Sequence, residues 1–168
     1  LPDIRQVKDR FPMLRAAIYL GFNEGYYSVS HDNILREDLV FEALRLNYLL
    51  CSTPHEDRTI SQALMGLMLY HTSRIPARRS NDNSLILLED QDRTKWNQTM
   101  LNIANQYMEQ AMQGSHFTSY HIEAVIAGVH TQTKSYAKTN WKLIADLYAK
   151  LSEVNTNPMV NLNYSFAL

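Results

Sequence analysis

Apolar residues recur every three or four positions along almost the whole chain, and that period commits it to amphipathic helices. Ile4, Val7, Phe11, Leu14 and Ile18 set the first stripe, with Pro12 placed to kink or restart the helix and Gly25 just past its end. A second helix is expected from Ile34 to Cys51, carrying Leu35, Leu39, Ala43, Leu46 and Leu50 inward, with Asp32 or Asn33 as cap. Thr59 and Gln62 have the form of a capping box, opening a third helix that presents Ala63, Leu64, Leu67 and Met68 on one face and runs to Ser73. Trp96, Met100, Ile103, Tyr107 and Ala111 mark a fourth, capped by Asp92 and ended by Gly114. Ile122, Val125, Ile126 and Val129 mark a fifth, from Thr118 or Ser119. After a polar loop over 131–139, Asn140 caps a sixth with Trp141, Ile144, Leu147 and Leu151 inward. Asn157 followed by Pro158, a cap and then proline at the first helical position, opens a seventh.

The period breaks once, between Arg74 and Trp96. Pro76 and the polar cluster from Ser80 to Ser84 precede four consecutive aliphatics, Leu85 to Leu88. A short apolar run bounded by turn residues reads as a strand, one arm of a small hairpin spanning about 76–88. The arm ends in Glu89, Asp90 and Asp92, opposite Arg74, Arg78 and Arg79. On this reading Arg74 and Arg78 are structural cations. They hold Glu24 and the Glu89–Asp90 pair, so that the hairpin locks the first three helices against the helix of Trp96. Glu89, Asp90 and Asp92 are also hard oxygen ligands for a divalent cation, but arginines so near in sequence favour ion pairing and capping.

Few other residues suggest chemistry. Cys51 and His55 have a spacing that holds zinc, yet no second pair completes four ligands, and no metal or other cofactor is expected. His116, His121, His71 and His130 fall near helix ends, where protonation suits the dipole. Tyr19, Tyr26, Tyr27 and Tyr70 with Phe22 form either an aromatic ligand pocket or, as favoured here, packing between the first and third helices. There is no nucleophile elbow and no phosphate-cradling glycine loop, so no residue set forms an active site. A net charge of −1 argues against nucleic-acid binding by this segment. The single cysteine excludes an internal disulfide and fits a reducing cytoplasm. Leu1 in place of Met, and an end inside a helical pattern, suggest a piece of a longer protein.

The segment Arg74, Pro76, Ala77, Arg78, then Leu85 to Arg93 and Trp96, resembles the C-terminal region of a subgroup of bacterial extracytoplasmic-function (ECF) RNA polymerase sigma factors. Ile18 to Tyr26, Glu42 to Leu46, and Asn157, Pro158, Val160 and Asn163 extend the resemblance over almost the whole chain. The hairpin turn of that subgroup carries Asp and Gly where this chain has Ser80 and Asn83. The resemblance implies a helical extension with tetratricopeptide (TPR)-like repeats, following the sigma regions. The expected fold is all-α: a helical bundle with one small β-hairpin over residues 1–114, continuing into TPR-like helix pairs over 115–168. The implied role is regulatory and non-enzymatic, through protein–protein interaction in cytoplasmic transcription initiation. The implied partners are the sigma regions of the same chain or core RNA polymerase, with neither DNA nor membrane contacted by this segment. The residues at issue are Glu24, Arg74, Arg78, Glu89, Asp90, Asp92 and Trp96, as a structural and interaction cluster. The alternatives are a stand-alone TPR-like peptide-binding adaptor, and a small-molecule sensor or hydrolase using Glu24, Arg74 and the acidic run.

Overall fold

The computed structural model describes residues 10–27, 36–80 and 84–168, and seven α-helices lie among them. They are α1 (Phe11–Tyr27), α2 (Glu37–Ser52), α3 (Arg58–Thr72), α4 (Gln98–Ala111), α5 (Ser119–Thr131), α6 (Trp141–Val154) and α7 (Pro158–Ala167). Short 3-10 turns occupy Ile75–Ala77, Arg93–Lys95 and Tyr136–Lys138. Ile4, Val7, Ile34, Leu35, the candidate caps Asp32 and Asn33, and Asn83 of the expected hairpin turn lie outside the described residues. Among the described residues no helix is long and apolar enough to cross a membrane.

The architecture follows from α3. Its run Leu64-Met-Gly-Leu-Met-Leu-Tyr70 has no polar face, so the helix must be enclosed. Every residue from Ile60 to Tyr70 is buried, Ser61, Gln62 and Gly66 included, and α1, α2, α4 and α5 all contact the helix. The single inward face of Ala63, Leu64, Leu67 and Met68 expected from the sequence is therefore too narrow. Polar groups on this helix are matched inside the core, as burial requires. Gln62 Nε2 donates to Gln110 Oε1 at 2.6 Å, and the Ser61 carbonyl accepts from Asn47 Nδ2 at 2.9 Å. Gly66 admits Met108 of α4, whose Sδ lies 2.7 Å from where a Cβ would stand. A second core, made by Ile126, Val129, Ile144, Leu151, Val160 and Ala167, joins α5, α6 and α7. Ala124 and Ala127 place α5 in the first core as well.

Two stripes sit one position away from their expected register. In α2 the buried residues are Val40, Ala43, Asn47 and Cys51, while Leu46 is exposed. In α4 they are Leu101, Ala104, Met108 and Ala111, while Ile103 is exposed. Alanines at the contact let α4 approach α3 closely, and the bulkier side chains are left at the rim. The caps at the C-terminal end are as the sequence reads. Asn140 accepts from Leu143 N at 3.1 Å, and Asn157 accepts from Met159 N at 3.0 Å with Pro158 beginning α7. Thr59 and Gln62 make no capping box; the N-cap of α3 is Asp57.

The expected hairpin is not formed among the described residues. Pro76 lies in the 3-10 turn Ile75–Ala77, which removes one arm. An isolated antiparallel bridge between Arg79 and Leu85 remains, with Ile86 N bonded to the Arg78 carbonyl at 2.8 Å. Leu85 and Leu87 are exposed, while Leu88 packs on the first core. Asp92 does not cap the long helix. It accepts from Thr94 N at 3.0 Å to cap the turn Arg93–Lys95, and Asn97 caps α4 through Met100 N at 3.0 Å. Trp96 is buried just before that helix rather than within it.

Helix α1 continues past Gly25 to Tyr27, so that glycine is no terminator. A Cβ there would stand 2.8 Å from the Arg36 carbonyl oxygen and 2.9 Å from Val40 N, so the side chain is excluded by the start of α2. Around Gly21 nothing lies within 4 Å. Gly25→Ala is expected to destabilise by about 1–3 kcal/mol through overpacking against backbone. Gly21→Ala should instead stabilise by about 0.5–1 kcal/mol through helix propensity. Urea denaturation of the two variants should therefore move the midpoint in opposite directions.

Candidate functional site

Helical spacing brings five sets of side chains onto one cavity. Tyr19, Asn23 and Tyr27 recur at i, i+4 and i+8 on α1. Leu67, His71 and Arg74 recur at i, i+4 and i+7 along and just past α3. Glu123, Ala127 and His130 do the same on α5. Tyr148 and Leu151 of α6, and Asn157, Val160 and Asn163 at the start of α7, close the far side. The enclosed space is about 720 Å³ and opens to solvent. That is the size of a pocket for a small organic ligand.

Its one buried cation, Arg74, pairs with no carboxylate among the described residues. Arg74 is 9% exposed, and its Nη2 lies 2.6 Å from His71 Nδ1 and 3.4 Å from the Tyr26 hydroxyl. A guanidinium only donates, so His71 Nδ1 accepts and the ring is neutral with its proton on Nε2. Burial, then Arg74, Arg78 and His130, hold the His71 pKa well below its ordinary value. Burial, then Arg74 and Arg93, push His130 down to about 4. Across the cavity the Tyr19 hydroxyl donates to Glu123 Oε2 at 2.8 Å. Burial raises the Glu123 carboxyl pKa despite that bond. Three buried polar atoms of the lining have no partner: Arg74 Nε, His130 Nδ1 and Asn23 Oδ1.

The predicted cluster is only partly assembled. Glu24, Glu89, Asp90 and Asp92 are exposed, and no ion pair joins Arg74 or Arg78 to Glu24, Glu89 or Asp90 among the described residues. Ion pairing as the role of these arginines is thus corrected. Arg78 donates to the Tyr26 carbonyl at 2.8 Å and lies over the Tyr26 ring at 3.8 Å, which ties the end of α1 to the segment after α3. Arg93 binds the His130 carbonyl and, at 2.8 Å, the Thr133 carbonyl, capping the C-terminus of α5. Its guanidinium lies 4.9 Å from the ring of buried Trp96. Asn97 N bonds to the Ser73 carbonyl at 2.8 Å and closes the excursion between α3 and α4. The motif is a clamp across α1, α3, α4 and α5, made by arginines on carbonyls and rings.

Tyr19 and Tyr27 do line a pocket, whereas Tyr26 and Phe22 are core and Tyr70 turns away to Asn105 at 2.5 Å. Glu123 and Tyr148 were not singled out by sequence, and Asn23 and Asn163 entered only as parts of the resemblance. The available signal was the polar residues repeating at helical spacing on otherwise apolar helices. Cys51 and His55 do not converge on a metal. The thiol is buried, its pKa pushed up to about 12 by desolvation, and the His55 ring stacks on Phe11 at 4.1 Å. Among the described residues no three His, Cys, Asp or Glu side chains come together as ligands.

A family of unknown function, DUF6596, matches residues 10–112, which include α1 to α4 and the clamp. The chain belongs to that family. An uncharacterized protein, R00370, of Rhizobium meliloti (strain 1021) is 34% identical over 168 residues, covering 99% of this chain. The chain spans only 39% of that relative's length. No solved structure matches. The DUF6596 match ends at the C-terminus of α4, so the cavity is built jointly by matched helices and by α5 to α7 beyond them.

Two outcomes are expected. Arg78→Ala removes a charged hydrogen bond to a helix-end carbonyl and should cost about 1.5–3 kcal/mol. Glu89→Ala and Asp90→Ala should unfold like wild type in the same denaturant titration, whereas an ion-paired cluster would make all three costly. The second outcome concerns pH. The histidines titrate near about 6.5 when unfolded and well below that when folded, so the unfolded chain binds more protons as pH drops. Their contribution is complete above that unfolded value and drains away as pH falls toward about 4; Glu123, raised in the fold, acts in the opposite sense. Unfolding free energy should fall by about 2 kcal/mol or more between pH 6.5 and 5, and His130→Gln should flatten the slope. A pH-independent free energy over that window would show that the folded histidines are not held neutral.

Proposed function

We propose that this chain is a C-terminal regulatory and protein-interaction segment of an ECF-type RNA polymerase sigma factor, docking on sigma regions elsewhere in the same polypeptide. The observation that carries the docking reading is an apolar groove between α1 and α2, of about 420 Å³. Leu14, Ala17, Ile18, Leu39, Leu46 and Leu49 form its walls. Leu14, Leu46 and Leu49 are between 37% and 49% exposed, an arrangement suited to receiving an amphipathic helix. The one-residue shift of the α2 stripe is what leaves Leu46 and Leu49 outside the core. The sigma assignment itself is supported by the sequence resemblance around Arg74–Trp96. A relative more than twice as long leaves room for such regions.

The test is transcription by full-length protein with core RNA polymerase. Leu46→Glu with Leu49→Glu places charge in the groove and should change promoter-dependent output about tenfold, the scale of losing one apolar anchor. Lys138→Glu, in the loop before α6, should match wild type. Absence of promoter-dependent transcription by the wild-type protein would sink the sigma reading. Unchanged output from the double variant would sink the groove as the docking surface.

A further inference from the structure

We infer that the cavity between α1, α3, α5, α6 and α7 is a binding site for a small organic acid, a carboxylate on an apolar or aromatic body that also carries a hydrogen-bond donor. This inference stands apart from the sigma reading and uses none of it.

The carboxylate is called for by what the cavity leaves unmatched. Arg74 is buried, and its Nε–H meets no acceptor; His130 is 8% exposed, and its Nδ1 meets no partner. Buried polar groups are otherwise satisfied, and a buried charged donor left open costs more than a neutral one. Ordered water is one way to satisfy such groups, but charge is a separate matter. Arg74 with Arg78 at His71, and Arg74 with Arg93 at His130, add to burial in disfavouring protonation of the two rings. None of the three pairs with a carboxylate among the described residues. Glu123, the acid of the lining, already accepts from Tyr19. Arg74 itself is therefore left without an ion-paired carboxylate among the described residues.

Other ligand classes fit less well. A metal is disfavoured because His71 Nδ1 is occupied by the Arg74 guanidinium, which leaves His130 without a second imidazole. A phosphate requires several converging donors. Neither Arg78 nor Arg93 lines the cavity, and both donate to backbone carbonyls, so Arg74 is the guanidinium of the lining. A carboxylate needs few donors, and Arg74 and His130, both in the lining, are the groups that would supply them. Leu67, Ile126 and Leu151 supply apolar wall for the body of the ligand. The open Asn23 Oδ1 is an acceptor for its hydroxyl or amine.

The experiment uses purified full-length protein with 4-hydroxybenzoate, 4-hydroxyphenylacetate and indole-3-acetate as probes, each beside its neutral amide. At about 5 mM, at least one acid should raise the Tm by about 3 °C while its amide does not, as mass action on the folded state requires. Isothermal titration of that acid should show about tenfold weaker binding to His130→Phe, which removes a donor, and to Asn23→Leu, which removes the acceptor. Arg74→Gln should abolish binding. Since that variant alters a buried group, circular dichroism must first show it folded, and the other two variants carry the test if it is not. Imidazole ¹⁵N shifts should move at His130 and stay fixed at His121, which lies outside the cavity. The site is overturned if none of the acids shifts the Tm, if acid and amide act equally, or if His130→Phe and Asn23→Leu bind as wild type. Those outcomes describe a cavity filled by water.

Discussion

A helix with no polar side has to be covered all round, and α3 imposes that demand on everything else. Burying each residue from Ile60 to Tyr70 requires neighbours on every side, and α1, α2, α4 and α5 are those neighbours. Close packing then needs small residues where axes approach, met by Gly66 under Met108 and by Gly128 under the Tyr70 ring. The polar groups caught inside, Asn47, Gln62 and Thr72, each bond to a nearby carbonyl or amide. At its C-terminal end α3 changes character. His71, Ser73 and Arg74 follow the apolar run, and the chain turns away through Pro76. The cavity forms at that end, where the enclosing helices are no longer drawn together by apolar contact.

The clamp from Arg74 to Trp96 is the second consequence. Joining α3 to α4 across more than twenty residues without a strand or helix of its own would leave backbone groups unsatisfied. Arginines supply the missing donors. Arg78 serves the end of α1 and Arg93 the end of α5, each reaching a carbonyl that its helix cannot bond. Stacking on Tyr26 and Trp96 gives each guanidinium a flat apolar neighbour as well. Acids would hold the same arginines at greater desolvation cost, since a buried ion pair must strip two charges of water. Glu89 and Asp90 remain in solvent instead.

Local chemistry was legible in the sequence and non-local choice was not. Asn140, and Asn157 with Pro158, announce helix starts because a cap concerns only the next three residues. The helix count follows from periodicity for the same reason. The registers of α2 and α4 were misread because either of two adjacent stripes is apolar enough. What decides between them is the neighbour: Ala104 goes inward on α4 while Ile103 is left out, and Asn47 goes inward on α2, bonded to the Ser61 carbonyl, while Leu46 is left out. Gly25 read as a terminator because its actual reason, the backbone of Arg36 and Val40, lies in another helix. Leu85 to Leu88 carry a strand's composition, yet a strand needs a partner arm, and Pro76 in its turn denies one. The cavity was hidden for a related reason. Asn23, His71, Glu123 and His130 each look like an ordinary polar residue on its own helix, and only their meeting across three helices gives them a common environment.

Helix α1 ties the two candidate surfaces together. With 3.6 residues per turn, Tyr19, Asn23 and Tyr27 lie on the side nearly opposite Leu14, Ala17 and Gly21. The first set faces the cavity and the second the apolar groove. Because α1 walls both, an occupant of the cavity acts on the groove only to the extent that it displaces α1 against α2. Thermodynamic linkage makes the effect reciprocal: a partner seated in the groove changes affinity in the cavity by the same factor. Gly25 lets α2 bear directly on the backbone of α1, because it carries no side chain. Helix α1 is therefore the element shared by the two surfaces.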